Sequence, residues 1–167
     1  MARLHHHTSA GCTYFVTTKA AQSSALFRVE EIAEIVVGRL LHYREERAYR
    51  LHEFVLMPDH LHVLLTPGDE TSLEKCMQLI KGGSSFLIHK QRGSRGEIWQ
   101  AGFHESTVRD VGDYQAKVRY IRQNPVAALL VERVEEWKWG SGSGTFVMDG
   151  SPQGLKPLYF RKVECRS

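Results

Sequence analysis

Two histidines separated by one leucine are the first residues whose spacing favours chemistry: His60, Leu61 and His62. On a β-strand, side chains alternate between the two faces, so both imidazoles project from one face and Leu61 from the other. Two neutral imidazoles on one face form a chelating pair for a divalent metal ion. The alternative is an ordinary strand with two solvated histidines, because an isolated His-x-His pattern often occurs by chance.

Tyr120 and Asn124 form a second pair, four residues apart in a segment with helical periodicity. Residues i and i+4 lie side by side on a helix, so a phenol is expected next to an amide oxygen. This combination suits a tyrosine nucleophile beside a metal ligand. The alternative makes Tyr120 a core aromatic residue and Asn124 the end of the helix, because Pro125 disfavours helical geometry in the residue before it.

The charge distribution favours an anionic partner. The net charge is only +3, but residues 75–122 carry nine basic and four acidic side chains, a local net charge of +5. A basic segment of this kind attracts phosphate groups, although a run of charges is also typical of a solvated surface. The candidate contacts to a nucleic-acid backbone are basic residues of this segment: Lys81, Lys90, Arg92, Arg95, Arg119 and Arg122.

The hydrophobic pattern predicts the strands and helices that position these residues. Segments rich in β-branched and aromatic residues predict four strands, at 12–18, 50–57, 60–66 and 105–109. Apolar residues at helical spacing predict three helices, at 29–46, 72–90 and 113–123. In the second helix, Gly82 and Gly83 predict a kink or break.

This order predicts an α+β fold, a ferredoxin-like β-α-β-β-α-β sandwich with a third helix that carries Tyr120. Two helices are expected against one face of an antiparallel sheet. The opposite face, which carries His60 and His62, is expected to be open, with no helix over it.

Size and composition are those of one soluble domain: 167 residues, 42% of them hydrophobic. We expect the domain at 12–143, with extensions of unassigned role at 1–11 and 144–167. The three cysteines lie far apart and form no C-x-x-C pair, so they are expected to be reduced. No apolar run approaches the roughly 18 residues of a membrane helix, which favours a cytoplasmic protein.

Four stretches resemble, in the expected order, the single-tyrosine HUH transposases of insertion sequences that move as single-stranded DNA. They are FVLMPDHLHVLL at 54–65, IKG at 80–82, WQAGFHE at 99–105 and YIRQNPV at 120–126. The WQAGFHE and YIRQNPV blocks are similar in particular to those of the REP-associated tyrosine transposases. The likeness covers about residues 14–143.

The resemblance implies that His60 and His62 bind a divalent ion, Mg²⁺ or Mn²⁺, with Asn124 in the place of the third ligand. It implies that Tyr120 attacks a phosphodiester of single-stranded, hairpin-containing DNA and forms a 5′-phosphotyrosine. The enzyme is expected to act as a monomer or homodimer. Glu105 is a candidate outer partner of a ligand histidine, since metal-bound imidazoles usually have one.

Two other functions stay open at this point. The same order of elements serves non-catalytic single-strand binding modules, which stack bases on sheet aromatics. The exposed face of the third predicted strand carries His60, His62, Leu64 and Thr66 instead, which favours a metal site. A metal-dependent hydrolase, with water in place of the tyrosine, is the other alternative, and it would keep its activity in Tyr120→Phe.

Overall fold

The structure, a computed structural model, describes residues 11–157. Within that range, four strands form one antiparallel sheet in the order β2-β3-β1-β4. The strands are β1 (Tyr14–Lys19), β2 (Tyr49–Leu56), β3 (His60–Pro67) and β4 (His104–Thr107). The helices are α1 (Glu30–Glu45), α2 (Leu73–Arg92) and α3 (Val111–Ala127). The predicted α+β, ferredoxin-like order is confirmed.

One face of the sheet packs against α1 and α2. Alternate residues of β3, Leu61, Val63 and Leu65, are fully buried in this first core. The predicted break in α2 is absent, since the helix continues through Gly82 and Gly83. A Cβ atom at Gly83 would overlap the Tyr43 ring of α1, so this glycine permits the close approach of the two helices.

The opposite face is covered in part by α3, so the prediction of an open face is wrong. Tyr114 and Ile121 of α3 are buried there with Val55 and Leu64 of the sheet, in a second hydrophobic core. An apolar stripe on α3 requires burial, and the second face of the sheet supplies the apolar partners. The helix also extends past its predicted end at 123, because it continues through Pro125 to Ala127.

The segment that follows α3 closes the free edge of β2. The Leu56 N–H donates to the Trp139 carbonyl at 2.8 Å, and the Asp149 N–H donates to the Leu51 carbonyl at 2.9 Å. Phe146 packs against the first core. Covering an edge strand removes a surface that would pair with other chains. Residues after 143, including Phe146 and Asp149, thus pack against the domain predicted at 12–143.

Three smaller predictions concern the cysteines, the membrane and the N-terminus. Cys12 and Cys76 are free thiols, and burial raises the pKa of Cys76 to about 12. Cys165 and nearly all of the predicted N-terminal extension, 1–11, lie outside the described residues. Across residues 11–157, no helix has the length and apolar character that a membrane span requires.

Candidate active site

The two histidines of β3 lie on the face that α3 covers in part, as the alternation of the strand predicts. Their ring centroids are 4.6 Å apart. The His60 side chain is 24% exposed, whereas His62 is 5% exposed. His62 is therefore not the solvated strand residue of the alternative interpretation.

Each histidine has its Nδ1 atom tied to an oxygen. His60 Nδ1 lies 2.6 Å from Asp59 Oδ1, and His62 Nδ1 lies 2.7 Å from Thr17 Oγ1. With the ring proton on Nδ1, each imidazole donates to that oxygen and keeps a lone pair on Nε2. Metal-binding histidines are oriented in this way by outer partners.

The Nε2 atom of His62 is buried and has no hydrogen-bond partner among residues 11–157. Burial, with a smaller contribution from His60, lowers the pKa of His62 to about 3, so the ring is neutral at neutral pH. A buried polar atom without a partner is costly in a folded protein and calls for an explanation. A neutral imidazole with an unused Nε2 lone pair is in the form that binds metal ions.

Glu105 does not provide the outer partner that the sequence predicted. It is aligned with Val16, whose side chain lies in the first core, on the face opposite the histidines. Asp59 and Thr17 occupy the outer positions instead. Asp59 was detectable as the direct neighbour of His60, but no local signal identifies Thr17, which reaches His62 through the β1–β3 register.

Tyr120 projects from α3 over the histidines. Its ring lies edge-on to the His62 ring, with centroids 5.3 Å apart, and its side chain is 52% exposed. An aromatic residue exposed to this extent is not a core residue, so that alternative is wrong. Asn124 lies one helical turn further along α3 and is half-buried. The structure thus joins His62 and Tyr120, two residues from separate sequence motifs.

A β-bulge in β2 helps to hold α3 in place. Leu51 pairs with Leu65 and Glu53 with Leu64, so His52 is the additional residue. The bulge turns both His52 and Glu53 toward α3, where the His52 ring packs edge-on against the Tyr114 ring.

Glu53 forms an ion pair with Arg122 of α3, two residues after the nucleophile candidate Tyr120. Glu53 is 4% exposed, and its Oε1 atom lies 2.5 Å from Arg122 Nη2. Its other oxygen accepts from Arg122 Nε at 3.2 Å and from the Ser141 hydroxyl. This hydrogen bonding to Glu53 raises the pKa of Arg122. The pair fixes the helix that carries Tyr120 to the sheet.

We expect Arg122→Met to destabilise the protein by about 2 kcal/mol, because Glu53 would remain buried without its cation. That value is below the usual cost of breaking a fully buried pair, since Arg122 is itself 49% exposed. Chemical denaturation measures the free energy of unfolding. Arg119→Met, on the exposed side of α3, is the matched control and should change it by no more than about 0.5 kcal/mol. Equal losses in both variants would contradict this role of the ion pair.

The predicted phosphate contacts fall into two groups. Arg122 is engaged by Glu53, and Lys81 Nζ donates to the Gln100 and Gly102 carbonyls at 2.8 and 2.6 Å. Burial lowers the pKa of Lys81. These two side chains connect parts of the fold, and they are not free surface cations. The exposed members of the predicted set are Lys90, Arg92, Arg95 and Arg119.

Three further residues of the site were absent from the sequence-based set. Phe15 stacks on the His62 ring with centroids 5.3 Å apart, and Lys117 Nζ lies 4.7 Å from the Phe15 centroid. His104 is aligned with Thr17, which is aligned with His62, so His104 lies on the same face. Only the β1 register brings Phe15 and His104 to the site. For Lys117, the sequence did contain a local signal, because this lysine lies one helical turn before Tyr120.

Comparison with known proteins agrees with this arrangement. The REP-associated tyrosine transposase of Escherichia coli K12 is 24% identical over 160 residues, which cover 95% of this chain and 90% of that protein. A solved REP-associated tyrosine transposase bound to a REP hairpin shares the fold, with a TM-score of 0.70 at 22% identity. It covers 90% of this chain and 92% of its own.

The family described as IS200-like transposases matches residues 9–124, a range that includes both histidines, Tyr120 and Asn124. The match extends over more than half of the 167 residues. The chain therefore belongs to the family of IS200-like transposases.

Proposed function

We propose that this transposase cleaves and rejoins single-stranded DNA through a covalent bond to Tyr120, with a divalent metal ion at His60 and His62. One observation carries the proposal: the exposed ring of Tyr120 lies against His62, whose buried Nε2 atom has no hydrogen-bond partner in the described part of the chain. A nucleophile thus lies beside an imidazole that is prepared to bind a metal. A module that only binds single strands needs neither feature.

The residues at this site fit a divalent ion. Both Nδ1 atoms are hydrogen-bonded to oxygens, which leaves the lone pairs of the two Nε2 atoms to bind a metal ion. Within residues 11–157, no third His, Cys, Asp or Glu completes a metal-binding group with them. The family resemblance puts Asn124 in the third position, and we propose that its amide oxygen, one helical turn beyond Tyr120 on α3, completes the site. When bound, Mg²⁺ or Mn²⁺ would supply Lewis-acid and template chemistry at the scissile phosphate.

The covalent step follows from the position of Tyr120. Its phenol oxygen forms a bond to phosphorus while the bond from phosphorus to the 3′ oxygen breaks. The phenol proton passes to water, and the departing 3′ oxygen takes up a proton, so a 5′-phosphotyrosine and a free 3′-hydroxyl result. The phosphotyrosine keeps the energy of the broken ester, so the 3′-hydroxyl of another strand reverses the step without ATP.

The substrate we propose is single-stranded DNA with a hairpin. The solved REP-associated transposase with the same fold is bound to a REP hairpin. In this chain, Lys90 and Arg95 are exposed cations at the end of α2 and beyond it, available for backbone phosphates, whereas Arg92 lies 3.8 Å from Glu31 in an ion pair. Tyr120 contacts His62 of its own chain, so one protomer suffices for the reaction. A DNA substrate implies that the enzyme acts in the cytoplasm.

Incubation with single-stranded oligonucleotides from the flanks of its own gene tests the proposal. Each oligonucleotide is labelled at its 3′ end and supplied with or without Mg²⁺. We expect label on the protein in denaturing gels, and rejoined products with a second oligonucleotide. Cleaved DNA without attached protein would indicate the hydrolase, and a gel shift without cleavage would indicate the binding module.

A further inference from the structure

Lys117 lies next to the proposed nucleophile. It precedes Tyr120 by three residues, so the two side chains are about 60° apart around α3. Its Nζ atom lies 4.7 Å from the centroid of the Phe15 ring. The same Phe15 ring stacks on the His62 ring and packs edge-on against the Tyr120 ring, with the Phe15 and Tyr120 centroids 5.8 Å apart. Phe15 is therefore a shared neighbour of the Lys117 ammonium, the metal-ligand candidate His62 and the ring of Tyr120.

The Lys117 ammonium is uncommitted within the described part of the chain. No carboxylate there lies within ion-pair distance of it, and its one interaction is with the Phe15 ring. A contact with an aromatic face uses none of the three N–H donors of an ammonium. By contrast, Arg122 is bound to Glu53. Arg119 lies about 100° around the helix from Tyr120, so it projects away from the site.

The chemistry of the site calls for such a cation. A phosphodiester is negatively charged, and negative charge accumulates on its non-bridging oxygens as a nucleophile adds. Within residues 11–157, Lys117 is the one cation over the Phe15 ring that contacts both His62 and Tyr120.

We propose that Lys117 is a catalytic residue, whose ammonium binds a non-bridging oxygen of the phosphate that Tyr120 attacks. The inference rests on the proposed function. No bond to Lys117 is made or broken, and the bonds made and broken are those of the covalent step described above. The ammonium stabilises the negative charge that develops in the transition state. Loss of Lys117 therefore lowers the cleavage rate more than it weakens DNA binding.

Lys117→Met and Lys117→Arg test the proposal, with single-turnover adduct formation at saturating DNA as the first readout. We expect Lys117→Met to be about 10²-fold slower, the usual effect of removing one group that stabilises an oxyanion. Lys117→Arg keeps the charge and should recover most of the rate. The DNA dissociation constant, the second readout, should change by no more than about threefold in either variant, because other cations bind the backbone.

Lys138→Met is the matched control. Lys138 also places its ammonium over an aromatic ring, 4.5 Å from the centroid of Trp139, and it pairs with Glu30 at the start of α1. Its loss removes the same kind of charge and the same kind of ring contact away from the histidines. We expect wild-type rates from this variant, and thermal unfolding confirms that each variant is folded.

A substrate with a neutral methylphosphonate at the scissile position separates charge from packing. In the stereoisomer whose methyl group replaces the oxygen that Lys117 is proposed to bind, the rate ratio of wild type to Lys117→Met should fall toward one. An unchanged ratio, or a wild-type rate in Lys117→Met, would overturn the role of Lys117 and leave the proposed function intact. Absence of any adduct with the wild-type protein would overturn both.

Discussion

Tyr120→Phe is expected to abolish covalent attachment of DNA to the protein, with a loss of rate on the order of 10⁴-fold or more. The substitution removes only the phenol oxygen, and the ring keeps its contacts with His62 and Phe15. Because Tyr120 is 52% exposed, its hydroxyl has no burial to lose, and stability should be unchanged within about 0.5 kcal/mol. Denaturing gels with DNA labelled on the 3′ side of the nick measure the adduct.

Tyr114→Phe is the control that the same helix provides. Tyr114 is 9% exposed and belongs to the second core, and burial raises its pKa. Its neighbour one turn further on is Val118, which has no donor atom for a metal. We expect this variant to form the adduct and to lose about 1 kcal/mol of stability with the hydrogen bond to Ser151. If the adduct persists in Tyr120→Phe and vanishes in Tyr114→Phe, the nucleophile has been assigned to the wrong tyrosine.

The parts of the fold that sequence predicted correctly depend on local periodicity. Alternation in β3 predicted Leu61 and Val63 in one core and His60 and His62 on the other face, because successive side chains of a strand point to opposite faces. The order of strands and helices then restricts the arrangement to very few topologies. The docking of α3 was not predicted, because a helical pattern shows that a helix has an apolar side but not which surface covers it.

The site shows the same division. His62 and Tyr120 belong to separate elements. The His60–His62 pair and the Tyr120–Asn124 pair were each ambiguous alone, and the resemblance to a family, not their spacing, linked them to one site. Thr17 and Phe15 reach His62 only through the pairing of β1 with β3. Glu105 was misjudged because β4 pairs with β1 in a register that aligns it with Val16. A shift by one residue reverses the face of every side chain in a strand, and sequence alone does not determine that register.

The proposed metal site leads to the second prediction with a large effect on cleavage. We expect cleavage to stop in excess chelator and to fall at least about 10³-fold in His60→Ala and His62→Ala, since each variant removes one of the two imidazole donors. Asn124→Ala should retain Tyr120 yet cleave poorly, because the ion would lose its third ligand. Calorimetric titration with Mn²⁺ measures metal binding independently of cleavage. Binding to a DNA hairpin should survive in part, and it should weaken steeply with salt, because it depends mainly on backbone charge.

Thr17→Val distinguishes a metal-binding His62 from a merely buried one. Valine has nearly the shape of threonine, but it cannot hold the Nδ1 atom that now lies 2.7 Å from the Thr17 hydroxyl. If His62 binds the ion through Nε2, loss of this outer partner should weaken Mn²⁺ affinity by about 10- to 100-fold. If His62 is only a core residue, Thr17→Val should change stability and leave metal affinity unaltered. Full cleavage by the wild-type protein in excess chelator would rule out the metal-dependent mechanism, whatever the variants do.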